Sequence, residues 1–501
     1  MSKRIILAPL AIAAILVSGL AASRVSAQPA ASPSPGLVVP TPVPAPTIAP
    51  SAVPTLPPAS STLTLPYPAV GTPAPGVTAN AVNPSVPQTV TLKQAILIAV
   101  AKSPLLASAR GDLQLAKASV DLSRVPILPN IAGTASTSHT SSSGATRVNS
   151  SGASLGNEFT SNQLSTSLNQ LLFDGGRTFV QIRSASASQV SSIDIYQRDL
   201  QTVAFNVATA YYNALSAQRT TAVDNEILQQ DTIQENLVIA QYHAGQASLV
   251  DIATAELPVA QARVALVQQQ GIEAGAQAAL ANAMGLDANT VVRPADDASS
   301  YQQVVATAIA IPTYDKAIAQ ANLLRPDLSA SAQTVAAAQY SLRAARLGYV
   351  PTVSGTTSYG TSSQDTAGGT FAPSWSIGAN FNLPIFNGGE TRALIEQAQG
   401  NLTKAQAAYQ TTLLGVQLNV KQTLTALISA RAALDATQVA YNEAATVLRA
   451  TQAQYRAGVT TLPLLLNAQV QLTTALINEV NAIYSLRQAE QAFLYATGQN
   501  T

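Results

Sequence analysis

The sequence predicts a mixed, mainly α-helical chain that contains itself twice and supplies strands to a barrel it cannot close alone. Three observations carry this. The first is a repeat with a fixed register: Pro104 in KSPLL returns as Pro326 in RPDLS, and Pro129 in ILPNIAG as Pro351 in YVPTVSG, each 222 residues later. LFDGGR around Phe173 returns as IFNGGE around Phe386, QYHAG around Tyr242 as QYRAG around Tyr455, and MGLD around Gly285 as TGQN around Gly498, each 213 residues later. The nine-residue difference therefore lies between Pro129 and Phe173, where Ser, Thr and Gly mark a loop tip. The second observation is a pair of 64-residue proline-free stretches, 178–241 and 391–454. The third is apolar/polar alternation in short segments between the helical ones, strict in the second copy and less clean in the first. A duplication on this scale suits a ring or tube built from quasi-equivalent staves.

At the amino terminus, Lys3 and Arg4 precede an apolar run from Ile5 to Leu16 and the small-residue site Val25-Ser26-Ala27, so residues 1–27 are expected to be a cleaved secretory signal. The run is too short for the competing reading, a retained membrane helix. With no cysteine anywhere, a lipid-anchored cysteine, disulfides and thiolate metal sites are all ruled out, and stability must come from packing and assembly. Residues 28–90 carry no charge and are dense in proline, which predicts an extended tether without packed structure. It is expected to be a plain spacer, the alternatives being to thread a cell-wall layer or to bind a partner groove.

The first repeat is placed at 91–290, a linker at 291–312, the second repeat at 313–498 and a tail at 499–501. Each repeat reads as helix, strand pair, very long helix, turn and second helix. In the second, Trp375, Ile377, Ala379, Phe381, Leu383 and Ile385 alternate with Ser374, Ser376, Gly378, Asn380 and Asn382, which predicts a strand over 374–385. Tyr349, Val353 and Tyr359 interleave with Thr352, Ser354, Thr356 and Ser358 opposite it, and Leu164, Leu168 and Leu172 with Ser165, Ser167 and Asn169 in the first repeat. In a bilayer this pattern places apolar side chains toward lipid and polar ones toward a lumen, with Tyr359, Trp375 and Phe381 as membrane-girdle candidates. Lipid tolerates no open sheet edge, and the smallest closed barrels have about eight strands. Four strands must therefore borrow others from sister chains.

At about 1.5 Å per residue, each 64-residue stretch would span about 96 Å as a helix. In the second stretch the apolar positions Leu394, Ala398, Leu402, Ala405, Tyr409, Leu413, Val416, Val420, Leu424 and Leu427 step by fours and threes with a mean near 3.67, an eleven-residue repeat that favours nearly straight packing. Ordinary left-handed coiled-coil packing is the alternative for such a stripe.

On these residues the chain resembles the TolC-type outer-membrane efflux protein (outer membrane factor) family. The resemblance runs from about Leu92 to Gly498: the TLKQAI opening, the prolines before the strands, the DGGR and NGGE junctions, the two QYxAG turns and the closing GLD and GQN. It implies a homotrimer whose four strands per chain form a twelve-stranded transmembrane barrel, continuous with a long periplasmic α-helical barrel. It also implies a passive outer-membrane exit duct for efflux or type I secretion, extending into the periplasm and docking to a periplasmic adaptor and an inner-membrane transporter.

Asp174-Gly175-Gly176 and Asn387-Gly388-Gly389 fall where strand becomes helix; Asp and Asn suit helix caps, and Asn387 with Glu390 fits a capping box. Arg177 and Glu390 occupy equivalent positions and could pair between neighbouring subunits. Gly245 and Gly458 are expected to cap the long helices at the far turns, after Tyr242 and Tyr455. The resemblance makes these turns the constricted periplasmic entrance, with Asp251 and Tyr455 at gate positions. The positions where the family usually carries acids are Leu464 and Asn467, and its usual arginine is Thr460, so closure would rest on Leu462, Leu464 and Leu465. His243 is expected to be a solvated turn residue, since a lone His lacks partners for a metal.

Net charge +1 with 10% charged residues gives no basic face for nucleic acid. No catalytic constellation, cofactor motif or metal-ligand cluster appears, so no enzyme activity is expected. The rival readings are a periplasmic adaptor, which would carry one hairpin and no amphipathic strands, and a trimeric surface stalk, which needs no polar lumen.

Overall fold

The structure, a computed structural model, describes residues 89–141, 147–148, 154–155, 158–295, 300–364 and 371–499. The expected signal at 1–27 and the tether to residue 88 lie outside the described residues. Thr89 and Val90, placed by sequence at the end of the tether, instead form strand β1 (Thr89–Val90). Val90 is fully buried there.

The first repeat continues with α1 (Leu92–Lys102), α2 (Pro104–Arg124), β2 (Asn130–Ser141), a two-residue pair β3 (Arg147–Val148) and β4 (Ser154–Leu155), β5 (Glu158–Phe173), α3 (Arg177–His243) and α4 (Leu249–Ala283). The connection contains β6 (Arg293–Pro294), which pairs with β1 in parallel, and α5 (Tyr301–Thr307). The second repeat follows the same order: α6 (Tyr314–Leu324), α7 (Pro326–Arg346), β7 (Thr352–Gln364), β8 (Ala372–Asn382), α8 (Glu390–Arg456) and α9 (Leu462–Thr497). Both α2 and α7 have 21 residues and start on proline, whose missing N–H costs nothing in a first turn. Both α3 and α8 have 67 residues, about 100 Å at ~1.5 Å per residue. Sixteen residues separate β2 from β5 and seven separate β7 from β8, so the nine-residue offset sits in the loop between the strands, as the repeat register required.

The four long strands form one antiparallel sheet in the order β2-β5-β7-β8, so the central pair joins the two repeats. Asn130 stands opposite Asn169, Leu168 opposite Thr357 and Tyr359 opposite Trp375, which puts the alternating sets of all four strands on common faces. The strand read from sequence over 374–385 stops at Asn382. Pro384 offers no N–H to a ladder, and Leu383 and Ile385 fall beyond it.

Along α8 the buried positions run Ala398, Leu402, Val416, Val420, Leu424 and Leu427, as the eleven-residue stripe predicts, although Leu394 at its start is exposed. Beyond Leu427 the spacing changes to sevens, through the buried Leu434 and Leu448 with Tyr441 half-buried between them. The spacing of buried residues along this one helix thus matches the eleven-residue repeat on the sheet side and heptads toward the far turn.

The main core lies where α1, the start of α2, α4, α5, α6 and α9 surround the middle of α3 and α8, around Leu106, Val207, Leu280, Met284, Val420, Leu427, Leu486 and Phe493. Tyr211 ties β1 and β6 to it, its hydroxyl donating to the carbonyls of Val90 (3.1 Å) and Ala295 (2.5 Å). The closing turns are equivalent too. Gly285 and Gly498 both adopt positive φ, and a Cβ would meet the carbonyl oxygen of Lys102 at 2.9 Å in one copy and of Leu324 at 2.7 Å in the other.

Candidate functional site

Two regions carry the features a duct needs: the sheet and the helix turns at the opposite end of α3 and α8. Every residue of β2 and β8 is exposed, so neither face of these strands is covered by other described parts of the chain. One face carries Ile131, Leu164, Tyr359, Trp375, Ile377 and Phe381, each more than half exposed. The other carries Asn130, Thr134, Ser136, Gln163, Ser165, Ser167, Asn169, Ser358, Ser376 and Asn380 in register. Its hydroxyls bond across strands, Thr134 to Ser165 and Ser358 to Ser376, both at 2.8 Å. Along the four long strands the one Asp, Glu, Lys or Arg is Glu158, at the loop end of β5. A single sheet with one bare apolar face and one hydroxyl-lined face is stable only between two different solvents, lipid and water.

The edges have matching polarity. β2 and β8 run antiparallel to one another, because each of the three ladders between them reverses direction. A neighbouring copy can therefore continue the antiparallel pattern across both edges, as closure requires.

The sheet leads into the long helices through the two glycine pairs. The residues at the caps are Gly176 and Gly389, with φ 85° and 89°, and not Asp174 and Asn387 as read from sequence. Asp174 still satisfies the first turn from two residues upstream: it accepts from the N–H of Gly176 (2.9 Å), the N–H of Thr178 (2.7 Å) and the hydroxyl of Thr178 (2.5 Å). Asn387 does less, donating its amide to the Thr391 hydroxyl at 2.7 Å, and the expected capping box with Glu390 does not form because the cap has moved to Gly389. Gly175 sits against Val350, while Gly388 at the equivalent place has open space. The apolar residues of these junctions, Phe173, Phe179, Ile385 and Phe386, are all exposed, and the sequence reading assigned none of them to the membrane girdle. For Phe173, Ile385 and Phe386 the signal was present in the repeated LFDGG and IFNGG.

At the far end both long helices finish in the same Schellman motif. Gly245 (φ 72°) donates to Tyr242 O at 2.9 Å and Gln246 to Gln241 O at 2.8 Å; Gly458 (φ 70°) donates to Tyr455 O at 3.0 Å and Val459 to Gln454 O at 2.9 Å. The next helix is capped differently in the two copies. Ser248 and Asp251 make a capping box on α4, the Asp251 carboxylate accepting from the Ser248 N–H (2.8 Å) and hydroxyl (2.7 Å). These bonds hold the Asp251 carboxyl below its usual range. In the second copy Thr461 makes no side-chain cap, and the residue equivalent to Asp251 is the apolar Leu464.

Tyr455 joins the two hairpins. Its ring packs against Val238, Ala255 and Leu462 on one side and Leu448, Leu465 and Ala468 on the other, and its hydroxyl donates to Gln241 Oε1 at 3.1 Å. Burial and the nearby Asp251 charge push the Tyr455 hydroxyl pKa up. Asp251 and Tyr455 are thus neighbours, but their hydrogen bonds go to Ser248 and Gln241 rather than to each other. Of the leucines expected to pack the entrance, Leu462 and Leu465 are buried, whereas Leu464 is 52% exposed within the single chain. Asn467 is exposed and accepts from Gln471 at 3.2 Å. Tyr242 is exposed and lies edge-on to His243 at 5.9 Å. Among the described residues no His, Cys, Asp and Glu group has the composition of a metal site.

The family model for outer membrane efflux proteins matches residues 96–286 and 317–499. Protein CyaE of Bordetella pertussis is 29% identical over 417 residues, covering 81% of this chain and 84% of that protein. The outer membrane efflux protein BepC of Brucella suis is 26% identical over 337 residues, 67% of this chain and 71% of BepC. In fold the chain is similar to a membrane protein from Pseudomonas aeruginosa, with a TM-score of 0.69 at 24% identity over 81% of this chain and 93% of that one.

Proposed function

The chain belongs to the outer membrane efflux protein family, and from that premise we propose that three copies close one twelve-stranded barrel and dock, through the far turns of α3/α4 and α8/α9, onto a periplasmic adaptor and an inner-membrane transporter. The protein is an outer-membrane channel that extends into the periplasm and serves as an exit duct, of the mainly α TolC-like fold. The single observation that carries the assembly is the sheet: four strands with two free antiparallel edges, one bare apolar face and one hydroxyl-lined face. Lipid forbids such edges, and eight or more strands are needed to close a barrel. Duct function follows from geometry. The lumen offers Ser, Thr and Asn along the barrel and no chemistry to drive transport, so the energy comes from the partner in the inner membrane.

In this reading, Tyr359 and Trp375 face the outer interfacial zone of the bilayer, and Phe381 with Phe173 and Phe386 the periplasmic one. The turns at Gly245 and Gly458 form the narrow entrance, with Tyr242, Tyr455 and Asp251 around it. The family's acidic pair is replaced by Leu464 and Asn467, so the buried Leu462 and Leu465, with the Tyr455–Gln241 bond, hold the entrance shut. BepC is described as an efflux protein, and a further relative, OpmQ of Pseudomonas putida, as a pyoverdine export protein. Those names fit export as the general task of this chain.

The test is direct. Membrane fractionation and unheated gel electrophoresis should place the chain in the outer membrane as a heat-modifiable trimer, and the purified trimer should conduct in planar bilayers. A stable soluble monomer, or association with the inner membrane, would refute the assembly.

A further inference from the structure

Two aspartates of α3 face a cavity that no described cation enters. Asp224 and Asp231 are each only 8% exposed. Both line a cavity of about 210 Å³ between α3, α4 and α9, whose walls include Ile227, Pro258, Ala262 and Val470. Asp231 accepts one hydrogen bond, from Gln469 Nε2 at 2.8 Å. Asp224 has no hydrogen-bond or ion-pair partner among the described residues. Burial pushes both carboxyls up, with no compensating positive group beside either. A buried carboxylate without a partner is costly and is expected either to be protonated or to await a cationic ligand.

The spacing selects among cations. Seven residues is two helical turns, so the two carboxylates stand on the same side of α3 about 10.5 Å apart along its axis. A single metal ion cannot touch both. The wall between them is mainly apolar, with Gln261, Gln469 and Thr473 as its uncharged polar side chains and no cationic one, which suits a methylene chain better than a fully hydrated ion. We propose that this cavity binds an aliphatic dication, an α,ω-diaminoalkane of about four or five carbons, with one ammonium on Asp224, the other on Asp231 and the methylene chain along Ile227, Ala262 and Val470. Ammonium-to-carboxylate contacts of about 2.8 Å at both ends bring a chain of that length into register with the two turns. The Gln469 amide fixes the Asp231 carboxylate for the far ammonium. All these groups belong to one chain, so the site does not rest on the trimeric reading.

Calorimetric titration of the full chain in detergent with diaminoalkanes of graded length decides it. Affinity should peak at about four or five carbons and fall at least about tenfold for diaminoethane, for 1-aminobutane and for magnesium chloride. Asp224→Asn should weaken the best diamine at least about tenfold, and Asp224→Glu, which carries the carboxylate one methylene further into the cavity, should move the optimum to a shorter diamine. Length-independent binding, equal binding of the monoamine, or binding untouched by Asp224→Asn would overturn the proposal. If Asp224→Asn does not fold, the length series on the unaltered chain separates these outcomes by itself.

Discussion

The guanidinium of Arg198 lies 3.7 Å from the centroid of the Tyr495 ring and donates to the Tyr495 carbonyl at 3.0 Å. The other face of that helix end is held by Phe205, stacked on Tyr495 at 4.6 Å, and by Gln201, whose amide donates to Gly498 O at 3.0 Å. Arg325 completes the knot from the start of α7, bonding Asp327 through both arms of its fork and the Ala496 carbonyl at 3.2 Å. One cluster therefore pins α3 to the start of α7 and to the end of α9, a polar link between the two repeats in addition to the β5–β7 pairing and the shared core.

Asp327 is the only acid between Arg198 and Arg325 in that cluster. Burial alone would raise its pKa, but the hydrogen bond and charge of Arg325, with Arg198 at 3.9 Å, hold it below the ordinary 3.8. A carboxyl with a lowered folded pKa contributes stability that is fully present above 3.8 and is lost as pH falls below it through the folded value. Asp327→Asn should therefore cost on the order of 3 kcal/mol at neutral pH, since it leaves two guanidiniums facing each other. It should also remove that share of the acid-dependent loss below the ordinary carboxyl range. Thermal unfolding of the detergent-solubilised protein across that range measures both.

The two strand-to-helix junctions should respond unequally to the same substitution. Asp174→Ala removes three hydrogen bonds from the first turn of α3 and should cost about 1–2 kcal/mol, whereas Asn387→Ala removes one and should cost less than about half of that. Gly175→Ala adds a collision with Val350 to the cost of a side chain at φ 69°, while Gly388→Ala at φ 66° carries the backbone cost alone, about 1–2 kcal/mol. Equal losses in the two copies, measured by unfolding, would show that the junctions are interchangeable after all.

How much of this was legible in the sequence depends on whether a feature repeats. The pairing of elements between repeats and the tip glycines followed from offsets of 222 and 213, because a backbone reused twice must solve the same problem twice; helices and strands came from proline-free stretches and alternation, and their limits moved by one to three residues. What could not be read was the assignment of individual hydrogen bonds within a motif. Asp174 has the chemistry of a cap, yet the left-handed Gly176 takes that place, since two consecutive positive-φ glycines shift the helix start by two residues. Asp251 stands at a gate position, and its carboxylate is taken up by the cap of α4. Leu464, expected to pack the entrance, is exposed within one chain, where Leu462 and Leu465 already fill the space beside Tyr455. The cavity at Asp224 and Asp231 left no motif at all; it arises where α9, more than 200 residues further along the chain, packs against the α3–α4 hairpin.

At the entrance, Tyr455→Phe removes the bond to Gln241 and leaves the ring packed, and Asp251→Ala removes both a charge and the cap of α4. The double variant should raise single-channel conductance in planar bilayers. Ser248→Ala dismantles the same capping box without touching the acid, and should leave conductance near that of the unaltered chain. A gain that Ser248→Ala reproduces in full would assign the effect to fraying of α4 and not to a gate.

Arg177 and Glu390 open the two long helices at equivalent positions, 213 residues apart. Within one chain the buried Nε of Arg177 has no hydrogen-bond partner among the described residues, and Glu390 is exposed. Around a trimer the two residues would alternate six times, so each Arg177 can meet a Glu390 across a subunit boundary. The free energy per pair is small, about 0–1 kcal/mol for exposed ions, but it is counted three times per ring and rises where the guanidinium is partly buried. Arg177→Glu should lower the temperature at which the trimer dissociates on gels, and adding Glu390→Arg should bring it back. A double variant no more stable than Arg177→Glu alone would mean that the buried Nε finds its partner elsewhere, in lipid headgroups or water at the foot of the barrel.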